Sequence, residues 1–158
     1  MAEEKIDDIL KEYDEGAKTA LICEDNQDAQ KTISAGLREL KYAVDIAPNA
    51  DEAFDKLKFN HYDVVVISES FAGSTPDNNE FLSHVQKMPM SARRTTFFAL
   101  FGKNFTTMDN MQAFEKSVHV VVNQSDLANS RAILKKAIAA NDQFYKVYRE
   151  SMAKIGKM

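Results

Sequence analysis

Five short apolar runs recur along the chain with helix-period segments between them, and this alternation restricts the fold more than any other feature. The runs are KTALIC (18–23), AVDIA (43–47), DVVVIS (63–68), TTFFALF (95–101) and VHVVV (118–122). Each has the length and the β-branched or aromatic content of a strand. Between them, Ala29, Ile33, Leu37 and Leu40 make one stripe over 27–41, and Ala53, Phe54, Leu57 and Phe59 follow Asn49, which reads as an N-cap. Phe81, Leu82 and Val85 lie in 79–88, and Met108, Met111 and Phe114 in 106–117. Asp25 or Asn26 opens the first of these helices, and Ser125 or Asp126 opens a last one running to about 155. The stretch AGSTPDNN (72–79) reads as a turn. Parallel strands need long crossovers, which the helical segments supply. Runs as continuously apolar as TTFFALF need cover on both faces. The expected fold is therefore α/β, a three-layer, doubly wound, five-stranded parallel sheet.

With 158 residues, 44% of them hydrophobic, the chain suits one domain with an appended helix. The expected divisions are an N-terminal amphipathic helix over 1–16, a main domain over 17–141 and a helical extension over 142–158. Ile6, Ile9, Leu10 and Tyr13 carry the first helix, and Gly16 stops it. A lone cysteine, Cys23, excludes an internal disulfide and a Cys-based zinc cluster, and reads as a buried thiol. The acidic start MAEEKIDDIL does not read as a secretory signal, and no apolar run reaches the ~18–20 residues of a membrane span. A cytoplasmic protein with no membrane partner is expected. A formal net charge of −4 argues against a general nucleic-acid binder. The charge is polarised: residues 1–15 hold seven acids and two lysines, net −5, whereas 131–158 hold seven bases and two acids, net +5. Such ends either attract one another, within a chain or between two, or form separately solvated faces.

In a doubly wound sheet, ligands gather at the carboxyl ends of the strands. That rule singles out residues 23–26, 48–49, 68–72, 101–104 and 123–125. Glu24 and Asp25 are adjacent acids at this rim, and at 4 Å with an effective dielectric near 20 their repulsion is roughly 4 kcal/mol. A divalent cation, a basic partner or a helix N-terminus would relieve it. Ser68 ends the third run. Glu69, its neighbour, falls on the opposite face by strand alternation. The chain has no GxGxxG, no GxxxxGK[ST] and no GxSxG, so neither a nucleotide loop nor a nucleophile elbow is present. His61, His84 and His119 do not fall where a base for Ser68 would stand. The expectation is a protein that is not an enzyme.

LICED, then a helix, then YAVDIAPNADEAFDKL and HYDVVVIS, resembles the receiver domain of bacterial response regulators over about residues 18–140. The resemblance implies a flavodoxin-like, receiver-type sheet. It also implies an Mg²⁺-binding acid pair after strand one, a phosphoacceptor aspartate ending strand three, a Thr or Ser ending strand four and a lysine ending strand five. Glu24 and Asp25 match the acid pair, and Asp63 matches the acid that often begins strand three. Ser68 stands at the acceptor position, Phe101 at the Thr/Ser position and Asn123 at the lysine position. Gln124 replaces the proline expected next, and Val120 the aromatic switch residue. Acceptor and lysine are lost together, so the formal charge of the site stays at −2. Phe101 fills space a phosphoryl group would need. The implied function is an atypical response-regulator receiver, a pseudo-receiver acting as a phosphorylation-independent protein-interaction module in signal transduction. The alternative is a receiver-like domain with a regulated cation or ligand site at Glu24 and Asp25. No resident cofactor is expected, and that pair is the one place left for Mg²⁺.

Past Asn141 the apolar stripe continues through Phe144, Tyr145, Val147, Tyr148, Met152 and Ile155. Tyr145, Tyr148, Met152 and Ile155 are spaced 3, 4 and 3, a short heptad-like seam. It docks on its own domain, on the acidic N-terminal helix, or on a second copy to give a homodimer. The expected interaction surface joins the 106–117 helix, strand five and the last helix, with Met108, Met111, Tyr145, Tyr148 and Met152 contacting a signalling partner. The sequence ends without a recognisable output domain, so output through protein binding is expected.

Overall fold

Val64–Ser68 is buried at every position, which a strand of alternating faces permits only at the centre of a sheet covered on both sides. The computed structural model describes residues 18–71 and 79–156, so the expected N-terminal helix and most of the 72–79 turn lie outside the described residues. Five strands pair in parallel: β1 (Thr19–Cys23), β2 (Ala43–Ala47), β3 (Val64–Ser68), β4 (Phe97–Gly102) and β5 (Val120–Asn123). Their order is β2-β1-β3-β4-β5, the doubly wound order expected. The register sets Cys23 beside Ile67 and Ser68 beside Phe101, so the strand ends form one rim.

The crossovers are α1 (Gln27–Glu39), α2 (Ala50–Phe59), α3 (Glu80–Gln86), α4 (Met90–Arg93), α5 (Asn110–Lys116) and α6 (Ser130–Lys154), with a 3₁₀ turn at Gln124–Asn129. Asparagine or aspartate opens α1, α2, α3 and α5. Asn26, Asn49, Asn79 and Asp109 each accept a hydrogen bond from a backbone N–H of the first turn. Asn26 rather than Asp25 caps α1. The last helix departs from expectation: the 3₁₀ turn occupies the Ser125–Asp126 position, and α6 begins at Ser130. Two strands start about two residues late, because Thr95 and Val118 still belong to the preceding turns. The short α4, with Pro89 at its N-cap, was not expected.

Two apolar layers sandwich the sheet. Leu21, Cys23, Val65, Ile67, Phe98, Leu100 and Val121 meet Ala53 of α2, Phe81 and Val85 of α3 and Ala113 of α5. The alternate residues Ile22, Val64, Val66, Phe101 and Val122 meet Ile33 and Leu37 of α1 and Leu134 and Ala137 of α6. Each large side chain so buried contributes roughly 1.5–3 kcal/mol. The free edge of β5 is closed by the preceding loop, where Met108 N–H donates to the Val121 carbonyl at 2.9 Å. Met108 holds a left-handed φ of 65° to do this. Its side chain packs half-buried against the second layer. The helix starts only at Asn110, so Met108 belongs to the loop before it, where it also borders the groove between that helix and α6.

Candidate functional site

The loop leaving β1 folds Glu24 inward. It is buried, and its Oε1 accepts from the N–H groups of Asp25 at 3.1 Å and Asn26 at 3.0 Å. Burial pushes its carboxyl up. The Asn26 amide and the Ser68 hydroxyl pull it back, while Asp25 beside it adds to the rise. Asp25 itself is exposed. Glu24 thus gives one oxygen to its own loop, while the exposed Asp25 stays close beside it at the edge of the rim cavity.

Ser68, at the end of β3, is only 1% exposed. Its hydroxyl lies 3.2 Å from that of Ser70. Its carbonyl accepts from Asn79 Nδ2 at 3.1 Å, which ties β3 to the N-cap of α3. Glu69 takes the other face, as alternation requires, and its Oε1 accepts from the Lys103 N–H at 2.7 Å. A Cβ on Gly102 would sit 2.4 Å from Glu69 Cδ and 2.6 Å from the Phe105 ring. Only glycine admits this approach. Phe101 is buried, filling the second layer while its edge walls the rim.

Asn123 closes the rim from β5. Its Nδ2 donates to the carbonyls of Phe105 at 2.7 Å and Lys103 at 3.2 Å, and its Oδ1 accepts from Ser125 N–H at 2.8 Å. Its side-chain nitrogen holds the β4–α5 loop against β5, and its side-chain oxygen caps the 3₁₀ turn that follows. Thr107 completes the clasp, accepting from Asn123 N–H and donating to the Asp126 carboxylate.

An open cavity of about 630 Å³ remains at the rim, bordered by Glu24, Asp25, Asp28, Ser70, Phe101 and Lys103 among others. Ser68 does not line it. Lys103 is the residue sequence reasoning missed. It sits within the 101–104 window that the rim rule marks, so position was the available signal, but a lysine was looked for only after strand five. The donor set does not fit a resident Mg²⁺. Glu24 gives one of its two oxygens to backbone N–H groups, and the third position holds a buried hydroxyl with no charge. Among the described residues, no group of three His, Cys, Asp or Glu side chains is placed to hold a metal ion.

Of the expected interaction residues, Met111 is two-thirds exposed on α5. Tyr145, Tyr148 and Met152 line a groove with Arg94 and Arg149 at the opposite end of the sheet from the rim, and Tyr145 also lines the groove between α5 and α6. The open apolar surface is made by Phe114 (77% exposed), Phe144 (76%) and Val147 (69%). Phe114 and Phe144 flank a groove of about 570 Å³ between α5 and α6, over Val118 and Val120. His119 beside it is half-buried, stacked on Phe97, with Nδ1 accepting from Phe98 N–H at 2.9 Å. Among the described residues, no helix is long and apolar enough to cross a membrane.

No protein-family model matches the chain, and no curated protein matches its sequence. Its fold does match solved structures, among them response regulators and receiver domains. An orphan response regulator of H. pylori superposes with a TM-score of 0.58 at 17% identity, over 78% of this chain and 98% of that one. The chemotaxis response regulator CheY4 of Vibrio cholerae gives 0.61 at 15% identity, over 77% and 98%. A CheY-like receiver domain protein of Methanospirillum hungatei gives 0.62 at 14% identity, over 83% and 98%. At these identities the likeness establishes the fold, and the chemistry of the rim rests on the residues themselves.

Proposed function

We propose that this chain is a pseudo-receiver, a non-enzymatic cytoplasmic signalling domain that works by binding another protein without phosphorylation. The observation that carries the reading is Ser68: the residue at the acceptor position is a serine, almost fully buried, and absent from the lining of the rim cavity. Phosphorylation there would place about −1.5 to −2 charge next to the buried Glu24 carboxylate, with no lysine at 123 to balance it. Phe101 and Asn123 support the same reading, since one is core and the other is a loop clasp. The partner-binding face is the α5–β5–α6 surface, where Met111, Phe114, Phe144 and Val147 leave apolar area open to water.

Two measurements test this. Beryllofluoride with Mg²⁺ should leave the amide resonances of Lys103 and Val122 in place. Capture of the partner should survive Ser68→Ala and fail with Phe114→Ser plus Phe144→Ser. A saturable beryllofluoride shift at the rim, or an acetyl-phosphate adduct lost in Ser68→Ala, would sink the reading. A second copy of this chain is the competing occupant of the face, and a mass in solution twice that of the monomer would identify it.

A further inference from the structure

A cavity of about 320 Å³ lies at the amino ends of the strands, opposite the rim. Its floor is apolar. Phe97 opens β4 and Tyr42 precedes β2, both buried, and Ile138 of α6 packs against the same layer. Its walls carry charges of both signs: Lys18 before β1, Asp63 before β3, Arg94 after α4, and Asp142 and Arg149 on the overhang of α6 past the sheet. Arg149 meets Asp142 at 3.3 Å, so these two offset one another. Arg94 and Asp63 are bonded differently. Arg94 Nη1 donates to the Tyr148 hydroxyl at 3.0 Å, and its guanidinium lies 4.9 Å from the centre of that ring, so its contact is with a phenol rather than a carboxylate. Asp63 Oδ2 accepts from the Thr19 N–H at 2.9 Å, while its Oδ1 stands 3.6 Å from His61 Nε2, beyond hydrogen-bond reach. The Asp63 side chain is 39% exposed and Arg94 is half-buried, so each keeps polar atoms for a ligand. Lys18 Nζ lies 5.9 Å from the centre of the Tyr42 ring. Tyr42 itself stays a neutral donor, because burial first, and then Asp142 and Asp63, push its hydroxyl up to about 12.

We propose that this cavity binds a free α-amino acid with an apolar side chain. The carboxylate meets Arg94, whose forked donors suit it, and the ammonium meets Asp63. Phe97, Ile138 and the Tyr42 ring receive the side chain. A simple anion would satisfy Arg94 but lie against Asp63 and Asp142. A simple cation would satisfy Asp63 but lie against Arg94 and Lys18. A zwitterion is the class that both signs admit, and the opposed charges reject the other two. The volume is at the low end for small-molecule sites, which suits a ligand of this size. Phe97 and Asn141 border both this cavity and the groove between α5 and α6, so the ligand is seated against walls that the partner-binding face shares.

Titration of the full chain with L-leucine, followed through its amide resonances, tests the assignment. Thr95 and Asn141 should shift saturably, while Lys103 at the rim stays in place. Isocaproate, which lacks the ammonium, and isoamylamine, which lacks the carboxylate, should each bind about tenfold more weakly or worse. Arg94→Gln keeps a donor for Tyr148, and Asp63→Asn keeps an acceptor for the Thr19 N–H; each should weaken leucine to a similar degree. The comparison of leucine with its two analogues needs no variant, so it holds even where a substitution disturbs folding. Absence of a saturable shift at millimolar leucine would overturn the proposal. So would equal binding of isocaproate or inorganic phosphate, which would make the cavity an anion site, or equal binding of isoamylamine. None of these measurements involves Ser68 or partner capture, so this proposal and the pseudo-receiver reading fail separately.

Discussion

Burial raises the carboxyl of Glu24, so folding works against its ionisation. For an acid raised in the folded state, stability is greatest where the group is protonated and declines as pH rises past its ordinary range. Glu24→Gln should therefore raise the thermal midpoint at pH 7, and the gain should vanish under acid conditions; paired melting curves check both points. His119 carries the opposite sign. Burial, and then the charge of Arg93, pushes it down to about 4, and its Nδ1 must stay unprotonated to accept from Phe98. The unfolded chain takes up that proton near 6.5, so stability is full above that value and falls as pH drops toward 4, by up to about 3 kcal/mol. His119→Asn, which keeps an acceptor near the same place, should flatten this acid limb in urea titrations read at successive pH values. Gly102→Ala should cost about 1–3 kcal/mol, since the new methyl must displace the Glu69 carboxylate or the Phe105 ring.

The strands were legible because each is a run of apolar, mostly branched or aromatic residues, and the helices because their apolar residues recur at 3.6-residue spacing. Glu24, Ser68, Phe101 and Asn123 were placed at the rim on the same grounds, since a strand end can be counted along the chain. What could not be read was direction and tertiary bonding. Nothing local in EDN turns one acid inward. Burial of Ser68 follows from its neighbours on β1 and β4, which lie far away in sequence. Met108 looked helical from its spacing to Met111, yet the loop pairs with β5 and stops short of helix. Lys103 directly follows β4, and only the fold brings it to the cavity that Glu24 and Asp25 also border. The clasp made by Asn123 belongs to this level. Asn123→Ala removes three hydrogen bonds, two of them to loop carbonyls, and should cost about 1–3 kcal/mol. Hydrogen exchange should quicken at Met108 and Ser125 before it does at Val121.

At the scale of the molecule, α6 belongs both to the core and to the surface. Leu134 and Ala137 are buried under the sheet, whereas the overhang contributes only the half-buried Tyr145 and Met152 and the more open Tyr148. Truncation after Asn141 should leave the five-stranded fold intact and lower its stability by at most about 4 kcal/mol, taking each of the three at roughly half the value of full burial. Urea denaturation measures the loss, and an unchanged amide spectrum for β1 and β3 would establish that the sheet survives. From Ser130 to Lys154 the helix contains neither glycine nor proline, and it runs without a break. It has no hinge at which to bend. Its 25 residues act as a stiff arm of about 37 Å, so a force applied at the far end arrives at Leu134 as a tilt, and whatever grips the tail also feels how firmly the sheet holds the base.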